Sequence, residues 1–549
     1  MKLRSCLLAV CLPAFGLVAS STVARAQHEH AGGAAPATLR SDLGSMHHPI
    51  STRSEEAQKF FDQGLTLDYA FNHHQAVLSF QRAAELDPKS PMPYWGIALA
   101  LGPNYNETQG EDEKGAYEAI QKAKQLAADS PQAEQEYVDA LAQRFTNGDK
   151  PDLGKLARAY AAAMRDLCRR YPDDPDACTL FAESLMVQHA WGLWTHDGKP
   201  TEDTPEIVST LETVLRKCPD HPGANHYYIH TMEMAPDPER ALASAHRLAA
   251  LVPGAGHLVH MPSHIYIRTG DYAAAVKSNQ DAIAVDNKIP PPAGGHMTYM
   301  MYRSHNVHFL VEAAMMDGEY DVALSAAKDL DGRVDAMIAE MPMAEQFLPW
   351  HYFVMLRFAR WDEILAAPPA DGKTNTAAFF SHFSRGVAFA AKRDAARAEA
   401  ERAAMEDAYK KIQPDSIFGF NPWSAIHGVA AHTLDARIAA ARGDSAASLK
   451  EWRAAVEAQD RLSYDEPADW YYPVRESLGA ALLASGDTAG AEKVFREDLD
   501  RDNPRNPRSL FGLSKALEAQ KKDAEAQWVK AALQAAWKGP PDGLRLADF

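Results

Sequence analysis

Small and large apolar positions recur along this chain with a period of 34 residues. The pattern places a small residue at position 8 of each unit, alanine at position 20 and a large residue at position 24. The unit that begins at Ala57 matches with Gly64, Ala76, Phe80, Ala83 and Pro88, and the same spacing starts again at Tyr472 and at Arg505. A small residue opposite a large one lets two helices approach closely. The pattern therefore predicts units of two packed helices.

Looser copies of the unit fill most of the remaining chain. Registers begin at Pro222, Gly256, Ser304 and Val429, and fainter helix pairs occupy 132–175, 176–219, 345–370 and 379–412. About eleven units result, more than the three or so that a repeat protein needs to bury a continuous core. The residues between the marked positions are rich in Ala, Leu, Glu, Lys and Arg, which favour helix. We predict an all-α chain without a sheet.

This spacing resembles that of the tetratricopeptide repeat (TPR) family over nearly the whole chain. The resemblance implies an α-solenoid, a right-handed superhelix of helix-turn-helix repeats, over 57–538, followed by a C-terminal tail at 539–549. In that family the first helices of the units line a concave groove that binds ligands, and protein interaction is the commonest use of the fold. Phe-Asn-His-His at 71–74, Tyr-Trp-Gly-Ile-Ala at 94–98 and Gly-His-Leu-Val-His-Met-Pro-Ser-His at 256–264 also look like a recurrent type of bacterial exported repeat protein.

Three insertions interrupt the period, at 102–111, 191–204 and 289–303. Each is too polar, or too rich in proline and glycine, to continue a helix. Insertions in solenoids tend to lie on one face, which is often the binding face. Ordinary solvated loops are an equally good interpretation for each of them.

The first 26 residues have the pattern of a secretory signal peptide. Lys2 and Arg4 precede an apolar run, and an Ala-Arg-Ala cleavage pattern ends at Ala26. The run is shorter than the roughly 20 residues that a membrane-spanning helix needs, and no later stretch is apolar enough to cross a membrane. We expect cleavage after Ala26, a flexible lead-in over 27–56, and a periplasmic or secreted location.

Charge and cysteine content narrow the set of partners. Cleavage removes three basic residues and no acidic one, so the formal charge moves from −18 to −21. So acidic a surface repels nucleic acid and anionic lipid, and it attracts metal cations only weakly. Cys168, Cys178 and Cys218 remain, which in an oxidising compartment allows at most one internal disulfide.

Histidine is concentrated in the middle of the chain and follows the repeat register. Seven histidines and one glutamate occupy positions 2, 5 and 9 of the three consecutive units that begin at Pro222, Gly256 and Ser304. They are His226, His230, His257, His260, His264, His305, His308 and Glu312. Residues three and four apart share one face of a helix, so these side chains form a stripe. In a TPR-like groove, stripes on first helices about 10 Å apart would converge.

This stripe predicts a transition-metal site. Neutral imidazole is the commonest metal ligand in proteins, and a metal offsets the cost of crowding imidazoles together. The alternative is a polar groove that binds a small molecule or a peptide without metal. Pro262 lies between His260 and His264, so we expect a helix to begin near it and to leave His257 and His260 on an approach segment.

The choice of metal leans slightly towards copper. Seven methionines cluster around the histidines: Met232, Met234, Met261, Met300, Met301, Met315 and Met316. Thioether with imidazole suits copper, whereas imidazole with one carboxylate suits zinc or iron. Methionine is more often core filler than ligand. The His-Glu-x-x-His motif of zinc peptidases is absent from the sequence.

Two classes of function follow. In the first, the chain is a metal-dependent enzyme acting on a small molecule, a copper or iron oxidoreductase in preference to a zinc hydrolase. Glu312 would then serve as ligand or base, with Tyr228 and Tyr302 as polar groups beside the metal. In the second class, the chain is a metal carrier or a protein-interaction scaffold without enzymatic activity. The fold alone does not choose between the two classes.

Overall fold

The structure, a computed structural model, describes residues 37–289, 297–335, 337–370, 372–501 and 503–549. Over these residues the chain is a TPR-like α-solenoid in which most helices pack against the next helix along the chain. This confirms the predicted all-α fold. The predicted signal peptide and the first ten residues of the lead-in lie outside the described residues.

The helices follow one another from Glu55 to Ala536. They are α1 (Glu55–Asp68), α2 (His73–Leu86), α3 (Met92–Leu101), α4 (Glu113–Leu126), α5 (Gln132–Ala142), α6 (Leu153–Arg170), α7 (Pro175–Met186), α8 (Thr204–Lys217), α9 (Pro222–Met232), α10 (Leu242–Leu251), α11 (Gly256–His260), α12 (Pro262–Thr269), α13 (Tyr272–Asp286), α14 (Met297–Asp317), α15 (Tyr320–Asp335), α16 (Trp350–Arg357), α17 (Trp361–Ala366), α18 (Asn375–Ala391), α19 (Ala395–Tyr409), α20 (Trp423–Ala441), α21 (Ser445–Gln459), α22 (Arg475–Ala484), α23 (Thr488–Arg501), α24 (Pro507–Ala519) and α25 (Asp523–Ala536). Within the described ranges, no helix is long and apolar enough to cross a membrane.

The small and large positions of the period form the contacts between helices. A Cβ atom on Gly64 of α1 would lie 2.6 Å from the ring of Phe80 on α2, and one on Gly96 of α3 would lie 2.5 Å from the same ring. Only glycine therefore lets both helices close on this ring. Phe495 of α23 is enclosed in the same way by glycines of α22 and α24. The large residue of one unit thus fills the space between its own first helix and that of the next unit.

The turn inside a unit places position 15 in left-handed backbone. Gly270, Gly318, Gly443 and Gly486 occupy it in four units, with φ between 73° and 96°. The first unit carries Phe71 there, at φ 53°. A bulky residue in this region costs about 1–3 kcal/mol and persists only where its surroundings compensate.

The predicted absence of a sheet is wrong for one short hairpin, and one predicted insertion contains helix. The part of the third insertion at 290–296 lies outside the described residues, and from Met297 on the chain is already helical, as the first turns of α14. A short hairpin of β1 (Ile417–Phe418) and β2 (Asn421–Pro422) precedes α20. It is too short to alter the predicted class.

The described part of the lead-in, 37–54, packs against the helices, although its composition predicted a flexible segment. The Arg40 guanidinium donates to the carbonyl of Gly254 (2.7 Å). Ser51 hydrogen-bonds to Glu134 of α5 through both its backbone N–H and its hydroxyl. These contacts tie the segment to units more than 80 residues away, which sequence composition does not show.

Buried apolar side chains form two clusters that meet in the middle of the solenoid. One cluster runs from Leu43 to Ile265 and the other from Ala275 to Ala526. The loop between α21 and α22 returns to this junction, where the Tyr464 hydroxyl donates to the carbonyl of Glu233 (3.1 Å). The centre of the solenoid is therefore covered by a segment from its C-terminal half.

A disulfide joins Cys168 at the end of α6 to Cys178 on α7. Cys218 is free. The pairing stays within the limit of one internal disulfide that the cysteine count sets.

Candidate metal centre

Six of the seven histidines of the predicted stripe come together where the two apolar clusters meet. We call them the imidazole cluster: His226 and His230 on α9, His257 and His260 on α11, His264 on α12, and His305 on α14. All except His305 are buried, with 0 to 8% of their surface exposed. The stripe thus converges as the register predicts, but in the interior of the protein and not along an open groove.

The helix break that Pro262 predicts is present and leaves the stripe intact. α11 ends at His260 and α12 begins at Pro262. His257 and His260 are on a short helix of their own, where an irregular approach segment was expected. His264 follows on the next helix and still faces His260.

The first triad of the imidazole cluster is His226, His230 and His257. One nitrogen atom of each ring lies within 4.8 Å of a nitrogen of the other two. The Nε2 atoms of His226 and His257 are 3.1 Å apart. Two nitrogens bound to one ion at about 2.0–2.1 Å are separated by about 2.9–3.4 Å for bond angles near 90–110°. This pair already has the spacing of two ligands of one ion.

The second triad is His260, His264 and His305, and it meets the same 4.8 Å limit. The Nε2 atoms of His260 and His264 are 2.9 Å apart. The ring of His305 lies 4.9 Å from that of His260 and 5.7 Å from that of His264, between centroids.

Carbonyl acceptors outside the cluster fix the orientation of two rings. Nδ1 of His226 donates to the backbone carbonyl of Tyr69 (2.6 Å), and Nδ1 of His260 donates to Oδ1 of Asn279 (2.7 Å). The amide of Asn279 can only present its oxygen, because its Nδ2 donates to the carbonyl of Ala275 (2.8 Å). Metal-binding histidines almost always have their second nitrogen held in this way. Nε2 then faces the cluster as a lone-pair donor.

Glu233, just after α9, joins the two triads. Its Oε1 accepts from Nδ1 of His230 (3.2 Å), and its Oε2 lies 2.8 Å from Nδ1 of His264. Its backbone carbonyl accepts from Nε of Arg268 (3.0 Å) and from the Tyr464 hydroxyl. The side chain is fully buried. One carboxylate therefore orients one ring in each triad.

Glu466, on the loop that returns from the C-terminal half, is the second carboxylate and lies against Nδ1 of His264. Burial raises the pKa of Glu466. Burial also acts to raise the pKa of Glu233, but the neighbouring His230 and His264 outweigh it and lower that pKa. Glu233 is therefore the carboxylate whose pKa the imidazoles hold low.

The surroundings shift the pKa values of the imidazoles in two opposite directions. Burial, reinforced by the neighbouring rings, lowers the pKa of His226, His257, His260 and His305 well below the usual value. Burial also acts to lower the pKa of His264, but the charges of Glu466 and Glu233 outweigh this effect and raise that pKa. A neutral imidazole is the form that ligates a metal.

All three predicted insertions reach the imidazole cluster. Ring centroids of Tyr105, from the first insertion, and Trp191, from the second, lie 5.2 and 6.3 Å from that of His230. Tyr302, from the third, lies 5.0 Å from His257. The insertions therefore lie together at the candidate site, as the binding-face interpretation expected.

Phe71 and Trp191 adopt left-handed backbone where their rings meet the cluster. Phe71 stacks on His230 and His257 and lies edge-on to His226, with centroid distances of 5.7, 5.4 and 4.5 Å. Trp191 has φ 59° and packs against Tyr105 as well. These contacts compensate the strain at position 15 of the first unit, where other units have glycine.

The remaining predicted site residues lie at different distances from the cluster. Tyr302 is beside it, and its hydroxyl accepts from Nδ2 of Asn106 (3.2 Å). Glu312 is half-buried, and burial together with the charge of Glu466 raises its pKa to about 8. It faces the returning loop and is outside both triads.

His308 and Tyr228 are not part of the cluster. The ring of His308 packs on Trp350 at 4.1 Å, and its Nε2 has no hydrogen-bond partner among the described residues. The Tyr228 hydroxyl donates to Glu212 on α8 (2.7 Å). Tyr228 is two residues from His226, so its side chain points away from the stripe, because successive side chains are about 100° apart around a helix. His308 shares the helical face of His305, but the ring beside it is that of Trp350 and not a further imidazole.

Sequence reasoning missed five residues of the site, namely Phe71, Tyr69, Glu233, Asn279 and Glu466. Glu233 carries a detectable signal, since it follows His230 by three residues and so lies on the same helical face. Glu466 carries none, because it is 202 residues from His264 and belongs to a loop.

Four of the seven methionines near the histidines are buried core residues. Met232, Met261 and Met315 belong to the apolar clusters and are at most 1% exposed. The sulfur of Met316 accepts from the Arg357 guanidinium (3.4 Å). The sequence argument that favoured copper over zinc or iron therefore loses its support.

A second group of buried histidines surrounds Asp176 at the start of α7. Its Oδ1 accepts from the Tyr69 hydroxyl (2.7 Å) and from Nε2 of His221 (3.0 Å), and its Oδ2 accepts from Nδ1 of His48 (2.8 Å). We call this group the Asp176 network. Asp174 is close enough to complete a set of potential metal ligands, but its oxygens accept from the Tyr137 hydroxyl and cap α7. Every carboxylate oxygen here already has a donor.

A cavity of about 410 Å³ lies between the first insertion, α6 and the turn Val187–His189. None of the side chains of the imidazole cluster lines it. It is therefore separate from the candidate metal centre.

Comparisons with known proteins leave the family of this chain open. No family model matches it, and no curated protein matches it. Among solved structures, the human IFIT1 dimer with m7Gppp-AAAA is similar over 89% of this chain and 91% of that chain, with 12% identity and a TM-score of 0.33. At that score we draw nothing from the likeness, and the fold assignment rests on the helices and contacts described above.

Proposed function

We propose that this chain is an exported metalloprotein whose imidazole cluster binds a transition metal, and that it acts as a metal-dependent enzyme on a small molecule. The observation that supports this most strongly is the His260–His264 pair. Nδ1 of His260 donates to Asn279, and Nδ1 of His264 lies beside the carboxylates of Glu233 and Glu466, so the Nε2 atoms of the two rings face each other at 2.9 Å. A cation shared by the two nitrogens, either a metal ion or an added proton, stabilises such a contact. Metal ions would serve the imidazoles of both triads, whereas two carboxylates lie beside the cluster to balance added protons.

Burial of the ligands favours an enzyme over a metal carrier. A carrier must pass its ion to a partner, which requires ligands at the surface, and five of the six histidines are buried. His305 and Tyr302 keep partial exposure on the side formed by α14. We propose that a small molecule enters there, beside the aromatic rings of the three insertions. The stripe is covered, so a long peptide has no open groove along it.

The metal is proposed to be copper, iron or zinc. Imidazole-rich sites accept all three ions. With four of the seven methionines in the core and three imidazoles in each triad, the number that a catalytic zinc site also uses, neither feature sets copper or iron apart from zinc, and elemental analysis distinguishes the ions. Glu312, whose pKa is raised, is proposed as a base close to the site, and Tyr302 as a polar group beside the metal.

Export is proposed from the signal-peptide pattern and supported by the disulfide. Disulfides persist in extracytoplasmic compartments and are rare in the cytosol. The chain joins Cys168 to Cys178. Amino-terminal sequencing of the protein from its native cell should begin at Gln27, and an intact Met1 would refute the proposal.

The metal proposal is tested on the mature chain purified without a polyhistidine tag. Elemental analysis should find copper, iron or zinc in stoichiometric amount, and the same protein stripped by a chelator should rebind the ion. A protein that purifies without metal and binds none on addition would refute it. Reduction by ascorbate with a change in the electron paramagnetic resonance spectrum would identify a redox-active ion, and a silent, zinc-loaded protein would overturn the oxidoreductase assignment.

A further inference from the structure

The two triads of the imidazole cluster are copies of one arrangement, displaced by one repeat. His226 and His260 both occupy position 5 of their units and are 34 residues apart, and His230 and His264 both occupy position 9 at the same separation. The third member of each triad is position 2 of the following unit. Those residues, His257 and His305, are 48 residues apart because the third insertion lies between them.

Two of the three ring distances are the same in both triads. The rings at positions 5 and 9 of one unit are 4.8 Å apart in both triads. The ring at position 5 is 4.9 Å from the ring at position 2 of the next unit in both. The remaining pair is separated by 6.1 Å in the first triad and 5.7 Å in the second. The short Nε2 to Nε2 contact joins positions 5 and 2 in the first triad and positions 5 and 9 in the second.

A single ion cannot use all six rings. Nitrogens bound to one ion at about 2.0–2.1 Å lie no more than about 4.2 Å apart. The ring nitrogens that approach within 4.8 Å of one another form two separate sets of three, and no such set among the described residues combines imidazoles of both triads. Within each triad one short Nε2 to Nε2 distance, 3.1 or 2.9 Å, matches two ligands of one ion.

From this repetition we infer that the chain binds two transition-metal ions, one in each triad, with the Glu233 carboxylate linking the two sites. This inference rests on the proposed metal function. Glu233 uses one oxygen for Nδ1 of His230 in the first triad and the other for Nδ1 of His264 in the second. The two ions would therefore share one orienting carboxylate.

The third unit shows why the series stops at two. Its positions 5 and 9 are His308 and Glu312. The ring of His308 packs on Trp350 and Phe347, at 4.1 and 5.0 Å, and not on another imidazole. A third site of the same kind is therefore missing from the described residues.

The experiment is a titration of the metal-free, full mature chain with Co²⁺, followed by the visible absorption of the bound ion. We expect saturation at two ions per chain. His226→Ala and His305→Ala remove one ligand from the first and the second triad, and each should saturate at one strongly bound ion. His432→Ala is the matched control, because His432 lies outside the cluster with Nδ1 bound to Glu451 (2.8 Å), and it should keep two.

Each outcome separates the inference from the proposed function. Saturation of the parent protein at one ion overturns the two-ion inference and leaves the proposed metal function standing. No binding at all overturns both. Because the parent stoichiometry needs no variant, a variant that fails to fold does not decide the result.

A second measurement tests whether the two ions are neighbours. With Cu²⁺ as the probe, the electron paramagnetic resonance signal per copper should fall between one and two equivalents, because two spins this close couple. An unchanged signal per copper at two equivalents would place the second ion outside the imidazole cluster and overturn the inference.

Discussion

The imidazole cluster and the Asp176 network are both buried groups of histidine and carboxylate, yet they differ in how their lone pairs are used. In the Asp176 network, one carboxylate receives donors from His48, His221 and Tyr69. In the imidazole cluster, six rings share two carboxylates, and Nε2 atoms face each other at 3.1 and 2.9 Å. Buried histidine alone therefore does not indicate a metal. A metal site is indicated where the inward-facing ring nitrogens outnumber the carboxylates that could balance added protons.

The two groups are close in the fold, which makes the comparison direct. Tyr69 contributes to both, with its backbone carbonyl to His226 and its hydroxyl to Asp176. The contact between the end of α1 and α9 thus borders both groups. In the Asp176 network every carboxylate oxygen has a hydrogen-bond donor, whereas in the imidazole cluster ring nitrogens face each other. Mutations in the two groups should consequently change different measured quantities.

The largest expected effect is the loss of metal from the double variant His230→Ala, His264→Ala. It removes one ligand from each triad, and both rings that Glu233 orients. Bound metal, measured by elemental analysis after dialysis, should fall from stoichiometric to near zero. Helicity, measured by circular dichroism, should change little, because most helix contacts come from the small and large positions of the repeat. Full metal content in this variant would make the cluster an ordinary polar core.

Asp176→Ala should act on stability and not on metal content. It leaves His48, His221 and the Tyr69 hydroxyl buried without their acceptor. Breaking a buried pair of this kind typically lowers the free energy of unfolding by about 3–5 kcal/mol. Urea denaturation measures the loss, and the folded variant should retain the metal stoichiometry of the parent. A loss of metal with unchanged stability would reverse the roles assigned to the two groups.

Glu233→Gln tests the link between the triads at nearly constant volume. The amide cannot accept from both Nδ1 atoms with the strength of a carboxylate, so the rings of His230 and His264 are less firmly oriented. Loss of such an outer partner typically weakens metal affinity about 10–100-fold. Competition with a chelator of known affinity gives the number. Glu212→Gln, at a carboxylate that binds Tyr228 and Arg240 away from the cluster, is the control and should leave affinity unchanged.

The smallest expected effect is a pH dependence of stability that comes from His48. Burial acts to lower the pKa of His48, but the hydrogen bond and charge of Asp176, with smaller contributions from Asp174 and Asp62, outweigh it and raise that pKa. A raised pKa adds stability below the unfolded value of about 6.5, and this contribution is lost as the pH rises through the folded value.

As the pH rises above the unfolded pKa of about 6.5, the free energy of unfolding of the metal-free parent should therefore fall more steeply than that of His48→Gln. The glutamine keeps a donor towards Asp176 but does not titrate. Parallel pH profiles for the two proteins would show that His48 stays neutral, and that the Asp176 network contains no ion pair between His48 and Asp176.

Much of the site could be predicted from the sequence because its ligands follow the repeat. Positions 2, 5 and 9 of three units mark the stripe, and His226, His230, His257, His260, His264 and His305 do meet. His308 has the same register and lies apart, since Trp350 and not a further imidazole occupies the space beside it. The repeat register thus predicts which helical face a side chain lies on, but not which residues pack beside it.

The sequence by itself determined the helix pairs, their close packing at glycine and phenylalanine, and the alignment of the histidines on one face. These features depend on residues within about one unit of each other, and helical geometry repeats them with a fixed period. Only the tertiary structure decided that the stripe is buried, that Glu466 returns to it from 202 residues away, and that Tyr69 orients His226 across 157 residues. Contacts over such separations arise when distant segments of the chain pack against each other, and the 34-residue repeat does not predict them.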